Sequence, residues 1–267
     1  MKITFLGTSH GFNEPGRFCS SAVVTVDGKH YVIDAGAPIM GLLPTRGFSY
    51  SAVAGIFITH NHSDHFLGLV EFIRQIEGFG EFEGIHVNVH VPEEFPSAAI
   101  NIFNFGDPAG KPVPLPGGAH TRKDPGRRID FITYPDPESV IFDDGKVKII
   151  AIPNMHIAHS HSLLIEAEGK RVVFSGDLKR DFPDYPAVLT EPGAAGGRVN
   201  LFVVEGAHTR LCKPEIIEIF RRTRTQRLIV SHVNYAFNTE EMIGSMRDAV
   251  ADLYPVDEAF DGMVVKI

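Results

Sequence analysis

The 267-residue chain carries 33 acidic and 25 basic side chains, a formal net charge of −8, with 43% hydrophobic and 22% charged residues. That balance excludes an intrinsically disordered chain and argues against broad, non-specific binding to polyanions. Two cysteines, Cys19 and Cys212, are too few for a disulfide framework and fit reduced thiols in a cytoplasmic protein; no apolar run approaches the roughly 20 residues that span a bilayer, and the short run over residues 3–6 before Gly7 offers no signal-peptide core.

In chain order, residues 2–6, 22–26 and 30–33 read as strands, the last two joined by the Asp27-Gly28 hairpin turn. Residues 54–59 read as a buried strand. From 64 to 76 the apolar positions Leu67, Val70, Ile73 and Ile76 recur at helical spacing. A strand over 86–91 and a helix over 92–105 follow, and then the Pro- and Gly-rich stretch 106–128 reads as a surface loop or insertion. Strands resume over 128–134, 147–152, 163–167 and 171–174. After a second Pro/Gly-rich connection over 181–198 come a strand over 199–204, a helix over 214–224 with Pro at its first turn, and a strand over 228–230. Asn238 and Glu241 resemble a capping box for a helix running to about 253, and 264–266 is a last strand. Runs of strands followed by a helix occur twice. An α/β protein of two sheets packed face to face with helices on the outer faces, four layers in one domain over 1–267, would satisfy this pattern.

Chemistry concentrates in Thr59-His60-Asn61-His62-Ser63-Asp64-His65, which follows a predicted strand and opens a predicted helix. His60 and His62, two apart on an extended turn, can converge on one ion; Asp64 and His65 can turn to a second. Imidazole and carboxylate together suit Zn²⁺, with Mn²⁺ or Fe²⁺ as alternatives. Elsewhere single residues are ambiguous. Asp34 is either a turn aspartate or the partner of a ligand's second ring nitrogen, and His10 either reaches a substrate or is a solvated loop histidine.

His60-x-His62-x-Asp64-His65 resembles the signature of the metallo-β-lactamase superfamily. The resemblance implies an αββα sandwich with the site at one edge between the sheets, and further ligands after later strands. His156, Asp177 and His232 stand where it asks for them, although His159 and His161 lie close enough to His156 to compete for its place. It assigns His60, His62 and His156 to one metal, Asp64, His65 and His232 to a second, and Asp177 to the bridge. It also implies a metal-bridging hydroxide as nucleophile. The segment Val204-Glu205-Gly206-Ala207-His208-Thr209 resembles the His-Glu-Ala-Thr segment of the ribonuclease Z branch, with Val204 where that branch has its proton-donating histidine. His208 then either takes over that role, with Glu205 beside it, or makes a structural hydrogen bond. The catalytic residues expected are Asp64, Glu205 and His208. The function implied is a dinuclear metal-dependent hydrolase of phosphodiesters. A thioester hydrolase similar to glyoxalase II, a non-catalytic metal or nucleotide sensor and a redox di-iron protein are the alternatives. The expected partner is a small phosphodiester, with RNA second; no membrane is expected, and a homodimer is the assembly considered.

Overall fold

The computed structural model describes residues 1–95, 128–154, 156–178, 197–208, 214–235 and 255–267, with isolated positions between 241 and 248. The sequence-predicted helices over 92–105 and 238–253, the loop over 106–128 and the connection over 181–198 lie wholly or largely outside them.

Among the described residues, fourteen strands form two seven-stranded sheets. The first has the order β14 (Val264–Lys266), β1 (Lys2–Gly7), β2 (Ser21–Val26), β3 (Lys29–Ile33), β4 (Val53–Phe57), β5 (Val87–Pro92), β6 (Ile129–Tyr134). The second has the order β13 (Val256–Glu258), β12 (Leu228–Ser231), β11 (Leu201–Glu205), β10 (Lys170–Phe174), β9 (His161–Ala167), β8 (Val147–Pro153), β7 (Ser139–Asp143). Each sheet repeats one plan. Three strands run antiparallel (β1–β2–β3; β8–β9–β10), and three more are then added in parallel on one side (β4–β5–β6; β11–β12–β13). The carboxyl ends of β1, β3 and β4 therefore share one edge of their sheet, and those of β8, β10, β11 and β12 share one edge of theirs. Parallel strands collect their carboxyl-end loops on one side, where α/β proteins place their sites.

Alternation along the strands builds three apolar layers. Ile3, Phe5, Val24, Tyr31 and Phe57 meet Ile149, Leu163, Ile165, Val172 and Leu201 between the sheets. On the outer face of the first sheet, α1 (Ile39–Thr45) and α2 (Gly68–Gly78) bury Leu43, Leu69, Phe72 and Ile76. On the outer face of the second, α3 (Pro214–Arg222) buries Ile217 and Phe220 against Phe202 and Val204. Fully burying one such side chain contributes about 1.5–3 kcal/mol, so each helix is held by its apolar stripe. The molecule is the expected four-layer sandwich of mixed sheets. No helix among the described residues is long and apolar enough to cross a membrane.

Among the described residues, α1, β7 and β13 escape the sequence reading. α1 contains Gly41 and Pro44, both poor helix formers, and forms because Ile39, Met40 and Leu43 dock on the sheet. β7 and β13 are short outer strands, and in β13 the acidic Asp257 and Glu258 mask the β pattern. The helix expected from 64 begins later: Ser63–His65 is a 3-10 turn, and α2 starts at Gly68.

His90, on β5, is 3% exposed and stacked on Phe57 at 4.6 Å. Burial pushes its pKa down to about 4, below the value near 6.5 of an unfolded chain. The unfolded state therefore takes up the proton first as pH falls. Stability from this group is intact above pH 6.5 and is lost between 6.5 and 4. In urea unfolding of metal-free protein, the wild type should lose about 2 kcal/mol more than His90→Phe between pH 7 and pH 5. Equal losses would show that His90 is solvated or paired.

Candidate metal centre

The two sheet edges bring the expected residues together from five strand ends. His60, His62, Asp64 and His65 follow β4, His156 follows β8, Asp177 follows β10, His208 follows β11 and His232 follows β12. The sheets are tied at this edge by the His161 N–H, which donates to the Thr59 carbonyl at 3.1 Å. Two glycines let the backbones approach. A Cβ on Gly36 would stand 1.7 Å from the Asp64 carbonyl oxygen. Gly176 turns the chain at φ +57, and there a Cβ would meet the His161 carbonyl at 2.7 Å. The next residue, Asp177, is thereby aimed between the sheets.

Ligand atoms gather in two groups, each within 4.8 Å: His60, His62, His156 and Asp177 in one, Asp64, His65 and His232 in the other. Asp177 faces both. Its Oδ2 lies 3.7 Å from His60 Nε2 and 3.6 Å from His156 Nε2, and its Oδ1 lies 3.2 Å from His65 Nε2 and 3.1 Å from His232 Nε2. Asp64 Oδ2 completes the second group, 3.7 Å from His65 Nε2 and 3.6 Å from His232 Nε2. In the first group His62 Nδ1 is 3.1 Å from His156 Nε2.

These residues fit divalent cations. The Nε2 atoms of His60, His65 and His232 and Oδ1 of Asp177 are buried without a hydrogen-bond partner, a costly state unless something else satisfies them. Donors about 2.1 Å from a tetrahedral zinc ion lie about 3.4 Å apart, and the spacings here bracket that value.

The outward nitrogens are held. Asp34, at φ +55, accepts from the Thr59 N–H at 2.8 Å and Thr59 Oγ1 at 3.1 Å, and pairs with His65 Nδ1 at 2.8 Å. Thr59 Oγ1 lies 3.0 Å from His60 Nδ1, and Ser20 Oγ lies 2.9 Å from His232 Nδ1. Each ring therefore turns Nε2 inward. Asp34 serves both readings given above, as a left-handed turn residue and as a ring anchor. Nothing in the sequence marks Thr59 and Ser20 as anchors; adjacency to His60 is the only hint for Thr59. Electrostatics follow the geometry. Burial drives His60 well down and His156 down to about 4. Burial also opposes charge on His65, but Asp177 and Asp34 outweigh it and hold its pKa well above the ordinary value. Burial likewise opposes charge on Asp177, and His232 and His65 outweigh it, keeping the carboxyl well below the usual range.

His159 and His161 turn elsewhere: His159 Nδ1 pairs with Asp136 at 2.7 Å, and His161 Nε2 lies 3.1 Å from the Asp136 carbonyl. His156 alone of the three joins the cluster. Glu205 accepts from the N–H groups of Ala207 and His208, both at 2.8 Å. His208 Nδ1 lies 3.5 Å from Glu205 Oε2 and 3.7 Å from Asp177 Oδ2, and the Glu205 carboxylate raises its pKa. His10 is half-buried rather than solvated, its ring edge-on to His208 and to His232, both at 4.8 Å.

If Asp34 orients His65, Asp34→Asn, which tolerates the left-handed backbone, should weaken one of two bound ions about 10- to 100-fold and spare the other. Chelator competition would show two unequal release phases; two equal phases at wild-type affinity would remove Asp34 from the centre.

Comparison with known proteins gives a consistent picture. Residues 1–97 match the family model described as anti-Pycsar protein Apyc1. The chain is similar over its whole length to ribonuclease Z of Myxococcus xanthus, at 23% identity and covering 98% of that protein. With ribonuclease Z of Methanococcus aeolicus it shares 33% identity over 106 residues, 40% of this chain but only 32% of the relative. Among solved structures it resembles the metallo-beta-lactamase fold protein YhfI of Bacillus subtilis (TM-score 0.70, 14% identity, 99% of both chains). It also resembles the short form of human tRNase Z (TM-score 0.67, 18% identity, covering 100% of this chain and 99% of that one).

Proposed function

We propose that this member of the metallo-β-lactamase superfamily is a dinuclear, metal-dependent hydrolase that cleaves small phosphodiesters. The observation that carries the reading is Asp177, whose two oxygens face two separate groups of imidazoles. His60, His62 and His156 would hold one ion, Asp64, His65 and His232 the other, with Asp177 between them. Zinc suits this imidazole-rich set. Such a pair supplies Lewis acidity and water ionised near neutral pH.

The chain's own residues supply the rest. The Gly11 N–H donates to Asp64 Oδ2 at 2.8 Å and fixes that carboxylate against the second group. As water oxygen bonds to phosphorus and the ester P–O bond breaks, His208 gives its proton to the departing oxygen. Glu205 raises the pKa of His208, which favours its protonated form, and accepts its backbone N–H at 2.8 Å.

Two features favour a small diester over an RNA chain. The net charge is −8, and Glu93, Glu94 and Asp136 gather around His159 beyond β5 and β6. Carboxylates there oppose a polyanion. We treat residues 1–267 as one hydrolase domain acting in the cytoplasm, with a homodimer as its simplest assembly.

A substrate panel on zinc-loaded protein tests this: bis-p-nitrophenyl phosphate, a cyclic nucleotide, a precursor tRNA and an acyl-glutathione thioester. The diesters should turn over, with kcat/KM for the RNA lower by about 10²-fold or more. RNA as best substrate would reverse the substrate class. Thioester turnover alone, or metal binding without any turnover, would overturn the reading.

A further inference from the structure

His10 belongs to neither ligand group, yet its ring stands within the cluster. The rings of His60, His65 and His232 are buried, whereas His62, His156, His208 and His10 are partly exposed. These four rings mark the open side. They follow one another at ring-centre spacings of 4.8 Å, from His62 to His156 to His208 to His10. The first two have roles toward an ion and His208 has a role toward the leaving oxygen; His10 has none. Its loop is nevertheless held firmly. Asn234 Nδ2 donates to the His10 carbonyl at 3.2 Å, the Ser9 N–H donates to the Phe18 carbonyl at 2.8 Å, and the neighbouring Gly11 N–H is fixed on Asp64. A nitrogen of His10 lies within 4.8 Å of nitrogens of both His208 and His232.

We infer that His10 is a substrate-contacting residue that donates a hydrogen bond to the non-bridging phosphoryl oxygen facing away from the ligand cluster, and so makes the site selective for phosphodiesters over acyl esters. The inference rests on the phosphodiester reading above. At phosphorus, negative charge is shared by two non-bridging oxygens while the ester oxygen departs; at an acyl carbon only one oxygen takes the charge. The ligand cluster faces one oxygen in either case, and His208 serves the departing one. A second donor on the open side has a task only when phosphorus is the reacting centre, and a preorganised donor at developing charge acts on the rate directly.

The test compares wild type, His10→Ala and His10→Gln, each loaded with zinc and checked by elemental analysis. Substrates are bis-p-nitrophenyl phosphate and the two phosphorothioate diastereomers of a p-nitrophenyl nucleotide diester; inorganic phosphate is the probe of binding. His10→Ala should keep the wild-type metal content and lose about 10- to 100-fold in kcat/KM on the oxygen diester. It should bind phosphate about tenfold more weakly. Sulfur at one of the two positions should slow the wild type but leave His10→Ala nearly unaffected, while sulfur at the other position slows both alike. His10→Gln, which retains an N–H donor, should recover part of the loss. A wild-type enzyme active on the diester beside an equally active His10→Ala overturns the role of His10 alone. So does loss of a metal ion from His10→Ala, or identical sulfur effects in both proteins. A wild type inactive on every diester fails the phosphodiester reading, and the role of His10 falls with it.

Discussion

Asp177→Ala should empty the centre and end turnover in one step. Asp177 is 1% exposed, and its oxygens are the one acidic element shared by both imidazole groups. Without it His60, His62 and His156 form a neutral triad, and His65 loses one of the two carboxylates that hold its pKa up. Two cations would then repel each other with no anion between them. We expect metal content to fall from two ions to one or none, and kcat/KM to fall by about 10³-fold or more, at least the scale seen when a principal electrostatic element is removed. Asp177→Asn keeps the shape and separates this effect from misfolding: it should fold and still bind metal poorly. Full activity with both ions retained in either variant would refute the bridging role.

His208→Ala should act on rate without touching metal content. The ring is partly exposed on the open side and is held by Glu205. If it protonates the leaving oxygen, its loss costs about 10²–10⁴-fold for poorly leaving alkoxides. For p-nitrophenolate, which departs without a proton, the cost should stay below about tenfold. A plot of rate against leaving-group pKa would therefore steepen in the variant. An unchanged slope would make His208 a structural residue and pass its role to water.

Much of this site could be read from the chain before its geometry was known, for a physical reason. Four metal-ligand types packed into residues 60–65 at a strand end need no tertiary information to be recognised as convergent. His156, Asp177 and His232 are different: each is an ordinary strand-end residue, and only the resemblance singled them out. The competition among His156, His159 and His161 lay beyond local reasoning. It is decided by Asp136, which comes from the loop after β6 and draws away the other two. Ser20 anchors His232 from 212 positions away, and no pattern in the sequence announces such a hydrogen bond. His10 stays ambiguous in the sequence for the same reason, since its burial comes from the chain segments carrying His208 and His232. The fold was legible where β-rich apolar runs are strong, as in β1, β4 and β9, and illegible where propensity and packing disagree, as in α1 with its Gly41 and Pro44.

The most direct test is to count ions. Protein stripped with chelator, reconstituted with Zn²⁺ and freed of excess metal should carry two zinc ions per chain by elemental analysis, with anomalous scattering placing one on each side of Asp177. A single ion, or two ions found away from Asp177, would contradict the account.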